Sequence, residues 1–412
     1  MHAINRRDVL ALGAAGLGAG LVKLGPAAWA ATGAANKRLV VVFLRGAVDG
    51  LNIVVPHGEE AYYLARPTIA IPRPGSEMGA IDLDGHFGLH PALSALKPFW
   101  DERSLAFVQA SGSPDITRSH FDAQDYMESG TPGRKTTADG WMNRLLTQLP
   151  GPHAPTSALS FGPTLPRIMA GPASIANVPL GRAATAQLPL DRPLINAAFD
   201  KLYASNDSLS RAYQEGIASH KKVMTDLQTE MMEADNGAPS AIGFAQDTEH
   251  LARLITQNPA VELAFFALGG WDTHVNQGAA EGQLAQRLKP LGEGLAGLAK
   301  GLGPSYRDTV ILVVSEFGRT VHENGNRGTD HGHGNVMWVM GGPVSGGKVY
   351  GAWPGLAGED LYEGRDLPIT TDFRSVVKSI LAAHLNLNTD QAEAVLPGAP
   401  AATSDITALI GT

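Results

Sequence analysis

The chain of 412 residues contains no cysteine. No disulfide can brace it in an oxidising compartment, and no thiolate can serve as nucleophile or metal ligand. It also lacks a basic run, and its formal net charge of −8 makes it a poor partner for nucleic acid. Walker loop, Rossmann glycine fingerprint, G-x-S-x-G elbow and H-E-x-x-H helix are all missing, which removes several common enzyme classes. Its N-terminal apolar stretch, Leu10 to Leu24, is short, glycine-rich and interrupted by Lys23, so no stable membrane span is expected from it.

What is present is a globular composition, with 17% charged and 44% apolar residues. Residues 1–30 stand apart. Arg6-Arg7 precedes the Gly/Ala/Leu-rich stretch, and Ala28-Trp-Ala30 supplies an A-x-A cleavage pattern, the signature of a twin-arginine signal peptide and of a periplasmic or secreted protein. Cleavage there removes Arg6, Arg7 and Lys23 against Asp8 and takes the net charge from −8 to about −10.

Beyond the leader, continuous apolar runs of strand length occur at Arg38–Leu44, Leu105–Gln109, Val261–Leu268, Thr309–Val314 and Val336–Met340. Such runs suit strands buried on both faces, and their alternation with helical segments predicts an α/β fold with a mostly parallel sheet flanked by helices. Predicted helices cover Pro91–Pro98, Ser119–Ser129, Ala241–Ile255, Gly282–Leu302 and the amphipathic tail from Thr371 to His384. We divide the mature chain into a first part of the core at 31–150, a helical and irregular insertion or cap at 151–240, and a second part of the core at 241–412. The insertion is assigned because Pro/Gly/Ala-rich sequence gives way to polar helical stretches there.

The runs deliver chemistry at their carboxyl ends, where open α/β sheets bind ligands. Asp49 follows the first, Asp272 and His274 the run ending at Leu268, and Glu316 with Arg319 the run ending at Val314. The glycine-rich turn Gly328-Thr-Asp330-His331-Gly-His333-Gly adds three more candidates. Imidazole with carboxylate suits zinc and other transition metals, whereas carboxylates alone suit magnesium or calcium. The blander alternative makes Asp272 a turn cap and each histidine a partner for backbone or for a ligating neighbour. Arg319 reads equally as a binder of an anionic ester or as a partner for Glu316.

For a nucleophile the chain offers Thr117 and Ser119, in a loop running into a helix that begins near His120. A helix N-terminus there favours an anionic phosphoryl or sulfuryl group. Ser119 with Asp122 also reads as an ordinary N-cap pair.

These pieces, together with Ser119-His-Phe-Asp-Ala-Gln124 and Ser315-Glu-Phe-Gly-Arg-Thr320, resemble a family of twin-arginine-exported bacterial proteins of uncharacterised function grouped with the alkaline phosphatase and sulfatase-like superfamily. The resemblance implies an alkaline phosphatase-like core with one or two divalent metals beside a Ser or Thr nucleophile. It assigns Asp49 and Glu316 to one metal, and Asp272, His274 and one of His331 or His333 to the other. Where many relatives carry Asp-His this chain has Glu316-Phe317, so the first of these sites needs Asp330, His120 or the remaining histidine as a substitute, or is absent.

The leading expectation is an exported metal-dependent hydrolase of phosphate or sulfate esters, acting on an anionic small molecule or polysaccharide. Alternatives are a non-catalytic secreted metal-binding protein of the same fold that binds a partner or polysaccharide, and a metal-dependent hydrolase of another bond without a protein nucleophile. Replacing Arg6 and Arg7 with lysine should leave unprocessed precursor in the cytoplasm on fractionation. Unchanged processing to a form beginning near Ala31 would exclude dependence on the twin-arginine route.

Overall fold

Strand β1 (Arg38–Leu44) is buried along its whole length, and its side chains divide by parity between two cores. Successive residues of a strand point to opposite faces, so Val40, Val42 and Leu44 enter one core while Leu39, Val41 and Phe43 enter the other. This two-sided burial is why the run is continuously apolar rather than alternating. The computed structural model describes residues 37–178 and 234–411. The expected signal peptide and much of the expected insertion therefore lie outside the described residues.

The other strands are β2 (Val54–Val55), β3 (Ile81–Asp82), β4 (Gly88–Leu89), β5 (Leu105–Gly112), β6 (Ala158–Phe161), β7 (Ala176–Val178), β8 (Leu263–Leu268), β9 (Thr309–Ser315), β10 (Asn335–Gly341), β11 (Lys348–Tyr350) and β12 (Thr371–Asp372). The main sheet runs β11-β5-β10-β9-β1-β8-β6-β7, with β12 also paired to β5, while β2, β4 and β3 form a small separate sheet. Every pairing in the main sheet is parallel except the two made by β10, which is antiparallel to both β5 and β9. The carboxyl ends of β1, β5, β8 and β9 therefore lie along one edge, and the reversed β10 brings its amino end to that same edge. For this reason the glycine-rich turn at 328–334, which precedes β10 rather than following a strand, reaches the other candidate residues.

Five helices of eight residues or more lie among the described residues: α1 (His120–Ser129), α2 (Trp141–Gln148), α3 (Phe244–Gln257), α4 (Gln283–Leu302) and α5 (Phe373–Ala383). Leu284, Leu288, Leu291, Leu295 and Leu298 of α4 join Phe244, Leu251 and Ile255 of α3 on one face of the sheet. Trp141 and Leu145 of α2 join Val376, Val377 and Ile380 of α5 on the other. Each such fully buried side chain contributes roughly 1.5–3 kcal/mol. Gly130 ends α1 in the left-handed conformation (φ 68°), and the Asp372 carboxylate caps α5 by accepting from the Arg374 amide at 2.9 Å.

The architecture departs from the sequence expectation at 151–178. That segment was expected in the insertion, yet Ala158–Phe161 pairs in parallel with β8 and carries β7 on its far side. Its strands are short and sit between Pro/Gly-rich stretches, which conceals them from periodicity. Among the described residues no helix is long and apolar enough to cross a membrane.

Two histidines serve the fold alone. His90 is fully buried, accepting from the Ala92 amide at Nδ1 (3.0 Å) and donating from Nε2 to the Ala279 carbonyl (3.1 Å). His384 donates from Nε2 to the Arg38 carbonyl at 3.0 Å. Burial lowers each to about pH 4 from 6.5, because the charged ring loses solvation. A depressed histidine pKa leaves the folded state binding fewer protons, so the stabilisation is complete above pH 6.5 and is lost as pH falls through 4. His384→Gln should flatten the loss of unfolding free energy between pH 7 and pH 4 by up to about 3 kcal/mol in urea titrations. Equal slopes in variant and wild type would contradict the assignment.

Candidate metal centre

Two glycines let the strand-end turns meet. Gly46 (φ 112°) follows β1, and a Cβ there would stand 2.7 Å from the Asp272 amide nitrogen. A Cβ on Gly328 would stand 2.3 Å from the backbone carbonyl of His274. Any side chain at either position would push the turns apart. The segments 316–320 and 330–334 are laced together by a bridge between Arg319 and His331 and by the bonds Gly318 N–H to His333 O (2.7 Å) and Gly332 N–H to Gly318 O (2.8 Å).

Four side chains converge inside this frame. The Nε2 of His331 lies 2.9 Å from the Nε2 of His120 and 2.9 Å from the Nε2 of His274. Asp272 closes the group, with Oδ1 3.0 Å from His274 Nε2 and 3.5 Å from His331 Nε2, and Oδ2 3.6 Å from His120 Nε2. Ligand-type atoms of His120, Asp272 and His331 all lie within 4.8 Å of one another.

The outward ring nitrogens explain why the inward ones face each other. His120 Nδ1 donates to Glu316 Oε1 (2.8 Å), His274 Nδ1 to Asp330 Oδ1 (3.2 Å) and His331 Nδ1 to the Arg118 carbonyl (2.9 Å). Carboxylates and carbonyls only accept, so each Nδ1 carries its proton, and each ring, when neutral, presents a lone pair at Nε2. The Nε2 atoms of His120 and His331 and the Asp272 carboxylate, all within 4.8 Å of one another, with His274 Nε2 beside His331 and Asp272, are a donor set for a cation of the zinc type, and orienting partners behind each imidazole are what such sites use. Asp272 Oδ2 is buried and has no hydrogen-bond partner, so one donor atom of the group is left unsatisfied by the protein. The residues thus fit a divalent metal.

The charges agree. Burial opposes ionisation of Asp272, but the adjacent Arg319 and the three histidines outweigh it and hold the carboxyl well below the ordinary carboxylate range. Burial likewise opposes protonation of His120, and Asp272 with Glu316 overcomes it, raising the ring to about 9. His274 is raised in the same way by Asp272 and Asp330, whereas burial, with Arg319 and His120 nearby, lowers His331. Taken as protein groups alone, the site concentrates positive charge where a metal would place it, and metal binding would displace those protons.

The remaining candidates stand around this group. Glu316 is buried and receives the Gly46 amide (2.8 Å) and Gln124 Nε2 (3.0 Å) besides His120. Burial works against its charge, and His120 outweighs it to hold it at about 2. Asp330 is solvent-exposed and stands behind His274, whose hydrogen bond lowers it to about 2. Asp49 is committed elsewhere, bound in a bidentate pair by Arg66 (2.6 and 3.0 Å) and by Gln277 Nε2 (2.6 Å). His333 is likewise apart, with Nδ1 2.8 Å from Asp366 Oδ2.

Arg319 pairs with Asp272, not Glu316. Its other donors go to the carbonyls of Ala47, Gly46 and Thr329, and the side chain is buried, so it is committed to the frame rather than presented to an ester. Ser119 occupies the N-cap position of α1, but its side chain makes no capping hydrogen bond, and Thr117 Oγ1 instead accepts the Ser119 amide at 3.2 Å. Sequence reasoning did not see Arg118, Asp366 or Gln277 as site residues, and it saw His120 only as a substitute ligand. The available signal was the position of His120, one residue after the candidate nucleophile.

These features define a mostly parallel α/β protein with a histidine and carboxylate centre at its strand-end edge. The chain belongs to the family described as Protein of unknown function (DUF1501), whose model matches residues 106–397. Among solved structures it is similar to that of Ps i-CgsB in complex with k-i-k-neocarrahexaose (9% identity, 86% of this chain and 73% of that one, TM-score 0.40). It is also similar to the zinc complex of the C-terminal periplasmic domain of EcEptC from Escherichia coli (9% identity, 74% and 72%, TM-score 0.36). A third is the lipoteichoic acid synthase LtaP from Listeria monocytogenes (9% identity, 74% and 65%, TM-score 0.31). No curated protein matches the chain.

Arg319 and Asp272 are both fully buried, so removing one strands the charge of the other. Arg319→Met should cost about 3–5 kcal/mol in chemical denaturation, and adding Asp272→Asn should recover part of it. A loss below about 1 kcal/mol would show that the pair does not organise the site.

Proposed function

We propose that this protein is an exported metal-dependent hydrolase of anionic esters, phosphate or sulfate. The observation that carries the reading is the convergence of three imidazole Nε2 atoms and the Asp272 carboxylate, each ring fixed from behind, one residue from a serine at a helix start. His120, His274, His331 and Asp272 would hold one divalent cation. Glu316 and Asp330 orient the rings, and Arg319 positions Asp272. Of the one or two metals expected, this reading keeps one, because Asp49 already carries Arg66 and Gln277. A bound cation supplies Lewis-acid polarisation of the ester oxygens and offsets the charge they gather.

The chain's own residues do the rest. Ser119 is exposed, its hydroxyl is not spent on capping, and its position at the N-terminus of α1 sets it beside amide donors suited to an anionic group. It attacks phosphorus or sulfur, the alcohol leaves, and water then releases the anion from the serine. The exposed carboxylate of Asp330 and the buried one of Glu316 keep the rings from turning while this happens.

On a panel of aryl phosphates, phosphodiesters and sulfates, at least one substrate should be turned over by metal-loaded protein, and Ser119→Ala should reduce that turnover by several orders of magnitude while costing no more than about 1 kcal/mol of stability. Activity that survives in Ser119→Ala and vanishes in Thr117→Ala would move the nucleophile two residues upstream. No turnover by metal-loaded protein would favour a binding protein of the same fold.

A further inference from the structure

The loop after β5 serves two places at once. Its later residues are Thr117, Ser119 and then His120 of the metal centre, while its earlier residues Pro114 and Ile116 form one wall of a separate cavity of about 480 Å³. Ile369 and Pro400 contribute apolar surface to the remaining wall, together with Tyr362 and His333. Ile116 is 69% exposed at its rim, an apolar side chain held open to solvent three residues from Ser119. Cavities of this size accept a small organic group, and a mostly apolar wall with a few polar atoms is the usual make-up of such sites.

One polar atom in that wall lacks what it needs. His333 is 5% exposed, and its Nδ1 is held by the Asp366 carboxylate at 2.8 Å. Asp366 and, at 3.4 Å, Arg118 Nη2 both stand at Nδ1, so Nε2 is the ring nitrogen left without a partner. That Nε2 is buried and has no hydrogen-bond partner. Buried nitrogens of this kind are otherwise almost always paired, and leaving one unpaired costs stability. Tyr362 packs against the ring (centroids 4.5 Å apart), and Asp366 is itself held by Arg118 Nη2 at 2.8 Å, so the imidazole is fixed in orientation.

Charge separates this cavity from the ester-binding edge. Among the described residues no lysine or arginine lines it, while Asp115 and Asp372 do. Asp372 is already paired with Arg374 (2.6 Å), so the wall offers an anionic group no cationic partner, and an uncharged group needs none. The demand is therefore for a neutral group with apolar faces and a hydroxyl to hydrogen-bond.

We propose that this cavity is the subsite for the uncharged, hydroxyl-bearing part of the ester, a sugar ring, with one ring hydroxyl hydrogen-bonded to His333 Nε2. The inference deepens the ester-hydrolase reading and rests on it only for calling the sugar part of a substrate. Binding of the neutral sugar does not depend on turnover.

The test is equilibrium binding of the methyl glycosides of glucose, galactose, mannose and N-acetylglucosamine to the full-length mature protein, by calorimetry or saturation-transfer NMR, with cyclohexylmethanol as the apolar comparison. At least one glycoside should bind, at least tenfold more weakly to His333→Leu and to Ala401→Trp, which narrows the cavity from a wall residue remote from His333 in sequence. Metal content should stay unchanged in Ala401→Trp, which separates loss of the subsite from loss of the metal centre. Glycoside binding by a protein without hydrolytic activity would sustain the subsite and sink only the hydrolase reading. No glycoside binding, whether or not the protein hydrolyses esters, or binding unaltered in Ala401→Trp, would overturn the subsite.

Discussion

A carboxylate with no access to solvent governs this site. Asp272 is fully buried, and it keeps its charge because Arg319 lies against one side and three imidazoles against the other. An isolated buried carboxylate would protonate rather than pay several kcal/mol of desolvation. Arg319 can do this because its remaining donors are spread over the carbonyls of Gly46, Ala47 and Thr329, which ties together turns from three parts of the chain. The pair is thus both an electrostatic anchor and the clamp that fixes where β1, β8 and the turn before β10 meet.

The surrounding residues divide their work by which ring nitrogen they hold. Glu316, Asp330 and the Arg118 carbonyl each fix an Nδ1 proton, which turns the three Nε2 atoms inward and makes Nε2 the atom that gives up its proton when a cation binds. The acidic residues that look like ligands in the sequence therefore separate into one that faces the centre, Asp272, and others that orient its imidazoles or stand apart from it. Asp49 and His333 share the neighbourhood without joining the cluster, one held by Arg66 and the other by Asp366.

Much of the frame was legible because its strands are buried on both faces. Arg38–Leu44 and Thr309–Ser315 read as strands with nearly correct bounds, since a continuous β-branched run has few other uses. Ala158–Phe161 was not legible, since four residues between proline-rich stretches carry too little pattern. Nor does any local signal give β10 its reversed direction, which is what brings His331 to the edge. At the site, Asp272, His274 and His331 were visible as chemistry in glycine-rich turns. Their partners were not, because the pairings of Asp49 with Arg66, Glu316 with His120 and His333 with Asp366 are made across loops whose closure no spacing encodes.

The central claim is that three imidazoles and one carboxylate share a single cation. X-ray absorption at the zinc edge of the zinc-reconstituted mature protein tests it most directly. The account predicts about three nitrogen and one oxygen scatterers at roughly 2.0–2.2 Å, with the outer-shell scattering of imidazole rings that diminishes in His331→Ala. A first shell of oxygen atoms without imidazole scattering, or a spectrum identical in wild type and His331→Ala, would contradict it.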